Sequence, residues 1–169
     1  MRPPITIPLI TTLMLMLSVL AAPQAFAAGK VTGKGRILDG DTVAIGKKHI
    51  RLRGLDAPER EQLCKPLSGG TAACGRQAAT VLKTLIADRP LVCQIVEEDS
   101  YGRQVGFCSV AARGKDPAWN LNREMVRLGW AVAYWTDDFT AEEKEAKAAK
   151  RGLWAMRFQP PEDWRKAHR

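Results

Sequence analysis

Apolar and polar residues alternate through two short stretches, Val43 and Ile45 and then Ile50 and Leu52, with Gly46-Lys47-Lys48 between them. Alternation with period two, broken by a glycine-led polar turn, predicts a β-hairpin. Leu91 to Val96 and Val105 to Val110 predict a second pair of strands around the turn Asp99-Ser100-Tyr101-Gly102. The period changes over Gly75 to Asp88, where Ala78, Val81, Leu82, Leu85 and Ile86 form one apolar helical face that Arg89-Pro90 ends. Asn120 to Leu128 repeats that spacing with Leu121, Met125 and Val126 and stops at Gly129, after which Trp130 to Tyr134 reads as a short apolar strand. Thr140-Ala141-Glu142-Glu143 has the form of a capping box, with Thr140 as N-cap, and opens a third helix that runs to Lys150 or Arg151. Leu153, Trp154 and Trp164 are expected to pack in the core or dock the tail; stacking on nucleic acid is the lesser role for these tryptophans. The sum is one α+β domain, mainly β, in which five strands close a small barrel and three helices cover it.

The start of the chain follows another pattern. Arg2 is the last charged residue before Lys30, Ile5 to Leu20 is strongly apolar, and Ala25-Phe26-Ala27 fits a small-x-small cleavage signal. These features predict a secretory signal peptide over residues 1–27 and one domain over residues 28–169. An uncleaved membrane anchor is the alternative, against which Pro23 and the cleavage signal weigh. The expected destination is the bacterial periplasm or the medium, with no membrane attachment after cleavage. The formal charge is +8; without Arg2 there remain 25 basic and 18 acidic side chains, about +7. That excess favours polyanions, either nucleic acid or an anionic surface, but solubility alone also accounts for it.

Cys64, Cys74, Cys93 and Cys108 include no C-x-x-C pair, so a zinc site has little support. For an exported chain disulfides are the default, and four cysteines allow three pairings. Centring the second hairpin between Ser100 and Tyr101 sets Cys93 across from Cys108. Hence Cys93–Cys108 is predicted as a cross-strand bridge and Cys64–Cys74 as a staple on the loop after the first hairpin.

The chemistry gathers around that first hairpin. Asp39-Gly40-Asp41-Thr42-Val43 precedes it, and Arg51, Arg53 and then Asp56-Ala57-Pro58-Glu59 follow. Crowded carboxylates repel unless a cation or an arginine lies among them. Pro58 biases Ala57 toward extended backbone, which suits presenting the Ala57 carbonyl, and carboxylates with a carbonyl form a hard-oxygen set suited to calcium. Only His49 and His168 are present, so a histidine-based nuclease mechanism is disfavoured; His49 reads as a surface residue.

Asp39-Gly-Asp-Thr-Val43, Arg51 with Asp56 after it, Ala57-Pro58-Glu59 and Tyr101-Gly102-Arg103, in that order, resemble the staphylococcal nuclease (thermonuclease) family. The resemblance runs from about Gly35 to Trp164. It implies an OB-fold barrel, a fold that commonly binds oligonucleotides, in agreement with the strand pattern. It further implies calcium-dependent hydrolysis of DNA and RNA phosphodiester bonds with low sequence specificity, leaving 3′-phosphates. Asp41, Asp56 and the Ala57 carbonyl would hold calcium, with Asp39 beside them but off the ion. Family members often carry threonine at position 57; a carbonyl ligand survives the change to alanine, whereas a hydroxyl contact does not. Glu59 would be the general base, and Arg51 and Arg103 would clamp the phosphate; Arg53 is expected only to support them. The substrate partner is DNA or RNA, no protein partner is expected, and the chain is expected to be a monomer. Two other classes remain: a non-catalytic OB-fold nucleic-acid-binding protein, and a basic protein bound to membrane or wall polyanions. The latter leaves the spaced Asp, Glu and Arg set unexplained.

Overall fold

The computed structural model describes residues 29–168; the leader expected over residues 1–27 lies outside them. Alternation becomes strands β1 (Gly29–Ile37), β2 (Thr42–Ile45) and β3 (Lys48–Leu52), followed by two short strands, β4 (Leu55–Asp56) and β5 (Lys65–Pro66). Helix α1 (Cys74–Ile86) leads to β6 (Pro90–Glu98) and β7 (Gln104–Val110), then β8 (Trp119–Asn120) and α2 (Leu121–Arg127). The chain ends with β9 (Val132–Ala133), α3 (Thr140–Ala148), a 3-10 turn over Gly152–Ala155, β10 (Met156–Arg157) and α4 (Pro161–Ala167). None of the described helices is long and apolar enough to cross a membrane.

The barrel closes as predicted, from five strands in the order β1-β2-β3-β7-β6 and back to β1. All pairings are antiparallel except β3–β7, which joins Ile50 to Gln104 and Leu52 to Gly106 in parallel. The first hairpin turns tightly, Ile45 opposite Lys48, with Gly46 at φ 59° where an L side chain would be strained. Val43, Ile50 and Leu52 fill the interior together with Ala78, Leu82 and Ile86 of α1 and Leu121, Met125 and Val126 of α2. That is the apolar face the helical spacing marked. Asn122 is buried where β7 leaves β3: it donates to the carbonyls of Arg53 (2.9 Å) and Gly106 (3.2 Å) and accepts from Cys108 N–H (2.9 Å). It thereby partners the Arg53 carbonyl and the Cys108 N–H, and shares the Gly106 carbonyl with Arg53 N–H.

Both predicted disulfides form. Cys93 faces Cys108 across β6–β7, and Cys64 joins Cys74 at the start of α1. The hairpin around the first bridge differs near its tip. A bulge at Val96 shifts the register by one residue, so that Glu97 pairs with Val105, and the loop spans Asp99 to Arg103 rather than a turn centred between Ser100 and Tyr101. Asp99 holds it, accepting from the N–H groups of Tyr101 and Arg103, both at 3.0 Å.

Three local expectations change. There are four α-helices among the described residues, not three. Helix α4 is too short to show periodicity, but it has Pro161 at its start, Glu162 and Asp163 in the first turn and Arg165 and Lys166 in the last. Those are helix signals that complement the backbone dipole. The capping box at Thr140 is not made: Phe139 is the N-cap, Thr140 Oγ1 donates to Asp137 O (3.1 Å), and Glu143 turns away to accept Ala133 N–H (3.1 Å). Tertiary partners outbid the local cap. Finally, only Val132–Ala133 of the stretch Trp130 to Tyr134 is a strand, and it pairs with Leu55–Asp56 outside the barrel. That pairing sets Tyr134 beside the loop that carries Asp56.

Candidate active site

Asp39, Asp41, Arg51, Glu59 and Arg103 line one cleft of about 640 Å³, walled also by Tyr101, Tyr134, Trp135 and the α4 residues Arg165 and Lys166. Five residues spread over three segments of the sequence are thereby brought together. Asp56 and Ala57 are buried beneath the cleft rather than on its wall.

The backbone that carries these groups is pinned by close packing. A Cβ on Gly40 would lie 2.7 Å from the Ala57 methyl and 2.8 Å from that of Ala78, so only glycine lets the Asp39–Asp41 turn settle on the loop after β4 and on α1. A Cβ on Gly75 would lie 1.8 Å from the Glu59 carbonyl oxygen. Gln62, fully buried, closes the loop around Glu59: its Oε1 accepts Glu59 N–H (3.2 Å), its N–H donates to Glu59 O (2.7 Å), and its Nε2 donates to Gln159 O (2.7 Å). Cys64–Cys74 lies immediately behind. Nothing in the sequence marked Gln62, because its partner near the C-terminus is distant along the chain.

Arg51 bridges the two deepest carboxylates, ion-paired with Asp41 Oδ2 and donating to Asp56 Oδ1, each at 2.7 Å. Asp41 also accepts Thr42 Oγ1–H (2.8 Å), and its own N–H donates to Asp39 Oδ1 (3.1 Å). Burial pushes the Asp41 carboxyl up to about 6; the Arg51 charge pulls it down, and Asp39 adds to the rise. Burial likewise raises Asp56, against the hydrogen bonds and charge of Arg165 and the charge of Arg51. Asp39 stands beside the pair and supports the Asp41 backbone.

Arg165 was not foreseen. From α4 it donates to Asp56 Oδ1 and Oδ2, both at 2.9 Å, and to Glu59 Oε1 at 2.8 Å. The sequence carried only a basic residue in a tail, 109 positions from Asp56. Arg103 donates Nε–H to Asp99 Oδ2 (2.7 Å), and its two terminal nitrogens have no protein partner among the described residues. Arg53 pairs with Glu97 away from this cluster, and His49 is exposed.

The donor set suits a hard divalent cation. Asp41 and Asp56 are carboxylates removed from water, and burial, with Asp39 beside it, raises the Asp41 carboxyl despite the Arg51 charge. Yet among the described residues no three acidic, histidine or cysteine side chains close up far enough to hold an ion, because the Arg51 and Arg165 guanidinia lie between them. At the rim, Trp135 is 85% exposed, held at φ 61° and stacked on Tyr134 at 4.8 Å, and Tyr101 is 79% exposed on the opposite hairpin loop. Trp154, by contrast, packs on Phe158 as expected, whereas half-buried Trp164 stacks on exposed His168 at the end of its own helix.

Comparison with known proteins agrees with this arrangement. Succinoglycan biosynthesis protein ExoI of Rhizobium meliloti (strain 1021) is 35% identical over 147 residues, covering 85% of this chain and 73% of that protein. An uncharacterized endonuclease of Escherichia coli O157:H7 is 32% identical over 139 residues, 77% of this chain and 81% of its own length. Probable staphylococcal-like nuclease CAN3 of Oryza sativa subsp. japonica is 32% identical over 136 residues, which make up 76% of this chain and 31% of that longer protein. Residues 49–156 match the family described as staphylococcal nuclease homologue. With the barrel, the cleft and this match together, the chain belongs to the staphylococcal nuclease homologue family.

Proposed function

We propose that the protein is an exported, calcium-dependent nuclease that hydrolyses phosphodiester bonds of DNA or RNA with little sequence preference. One observation carries the reading: a single cleft sets Glu59 beside Arg51 and Arg103, above the buried pair Asp41 and Asp56. Attack of water on a phosphodiester builds negative charge on the phosphoryl oxygens and needs a base for the water's proton. Glu59 is the base, its main chain held by Gln62 so that the carboxylate enters the cleft. Arg103, anchored through Nε on Asp99, directs its terminal nitrogens to a phosphoryl oxygen. Arg51 keeps Asp41 and Asp56 ionised and aligned. Asp41, Asp56 and the Ala57 carbonyl are the ligands for calcium, which when bound supplies charge neutralisation at the phosphate.

Contacts to phosphate carry no base information, hence the low specificity. The exposed faces of Trp135 and Tyr101 offer stacking surfaces for unpaired bases beside the phosphate clamp. Names such as endonuclease and staphylococcal-like nuclease among the relatives support this reading. The deciding experiment incubates the purified protein with plasmid DNA and with RNA, in calcium and then in excess chelator. Calcium-dependent cleavage that the chelator stops is expected. Tight, salt-sensitive binding without cleavage in either condition would instead point to a non-catalytic nucleic-acid-binding protein.

A further inference from the structure

Asp56 carries more arginine than a carboxylate awaiting a metal should. Its Oδ1 accepts from Arg51 (2.7 Å) and Arg165 (2.9 Å), and its Oδ2 accepts from Arg165 (2.9 Å). An ionised carboxylate offers about four acceptor positions, so few remain for a cation. The same Arg165 takes one oxygen of Glu59. Its planar fork spans both residues at once, which a lysine could not do.

The remaining contacts of α4 are slight. Within the helix only Pro161 is buried, and the Lys166 pairs with Glu162 and Asp163 lie on the exposed helix itself. Gln159 O, which accepts from buried Gln62, tethers the chain just ahead of the helix. The tether is thus firm where the helix begins, and Arg165 is the bond that holds its far end in the cleft. Such a side chain can leave the carboxylates without disturbing the barrel.

We propose that Arg165 is a built-in competitor for the divalent cation: it occupies Asp56 and Glu59 in the metal-free protein and must release them before Asp41 and Asp56 can hold the ion. The proposal rests on the calcium reading above and adds to it a residue outside the matched segment 49–156. Two roles follow from one contact. In the absence of the ion, Arg165 compensates the buried carboxylates, which would otherwise repel each other. When calcium is scarce, the same contact keeps Glu59 engaged and the cleft partly filled. Calcium affinity is accordingly lower than the carboxylates alone would give.

The test is calcium titration by calorimetry, on the wild-type protein and on Arg165→Gln and Arg165→Lys, with thermal unfolding run on each to confirm folding. Removing two or more charge-assisted hydrogen bonds from the competing state should tighten calcium binding in Arg165→Gln by about tenfold or more. Arg165→Lys, which keeps the charge but loses the fork, should fall between and covers the case in which the glutamine variant does not fold. Asp41→Asn introduced beside either substitution should remove the binding. Equal affinity in all three proteins, or weaker binding in the variants, overturns the competition while leaving the calcium reading intact. Absence of calcium binding in all of them, or binding that survives Asp41→Asn, overturns both.

Discussion

The floor and the rim of the cleft are built on opposite principles. On the floor, Asp41 and Asp56 are out of water; Arg51 ties the two together, and Arg165, from the far end of the chain, holds Asp56 as well, so the buried charges depend on one another. At the rim, Tyr101 and Trp135 stand largely in solvent and Arg103 is half-buried, on two loops, and Asp99, four residues from Arg103, does most of the holding there. Changes on the floor should therefore cost stability as well as activity. Changes at the rim should touch substrate alone.

Glu59, which joins the two levels, should show the largest effect. Glu59→Gln is isosteric and keeps the Gln62 contacts to its main chain, so cleavage should fall by about 10²–10⁴-fold, the usual share of a general base. DNA binding measured by fluorescence anisotropy should be retained; unchanged turnover would remove Glu59 from the mechanism. Asp56→Ala tests the floor. It strands Arg51 and Arg165 beside a hole, and loss of one partner in a buried ion pair costs about 3–5 kcal/mol. Denaturant unfolding should report that loss, and a value near zero would mean the floor is not held as described.

The staple behind the floor comes next. Cys64 and Cys74, 10 residues apart, tie the Glu59 loop to α1. Replacing both with serine should lower stability by about 2–4 kcal/mol. Activity of the folded fraction should also drop as the Glu59 backbone loosens, so a purely thermal effect would separate the staple from the site. Smallest is Trp135→Ala at the rim. Affinity for single-stranded DNA should weaken by about 1–3 kcal/mol, the worth of one base stack, with the melting temperature unchanged. A drop in melting temperature would show that Trp135 belongs to the packing after all.

The same division explains what could be read in advance. The carboxylates and Arg51 were legible as a crowded charged set around a predicted hairpin, whereas Arg103 stood out only because Tyr101-Gly102-Arg103 resembles the family. Cys93–Cys108 was legible because strand pairing converts sequence distance from a turn into contact. Even the bulge at Val96 did not spoil this, because the loop Asp99 to Arg103 is centred on Tyr101, half a residue beyond the expected turn, and the bulge shifts the register back. Arg165 and Gln62 had no such local marker. Each contributes by meeting a group some 100 positions away, and α4 is too short to announce itself by period.

The sequence by itself determined the alternation of strands, the apolar faces of α1 and α2, the two cysteine pairs and the order of the acidic and basic motifs. All of these follow from interactions within a few residues or across one turn. Only the tertiary structure decided the parallel closure of β3 on β7, the burial of Asp56 beneath the cleft and the insertion of Arg165 among the carboxylates. Those depend on which distant surfaces exclude water together, and on which charge then lies nearest to one that has lost its hydration.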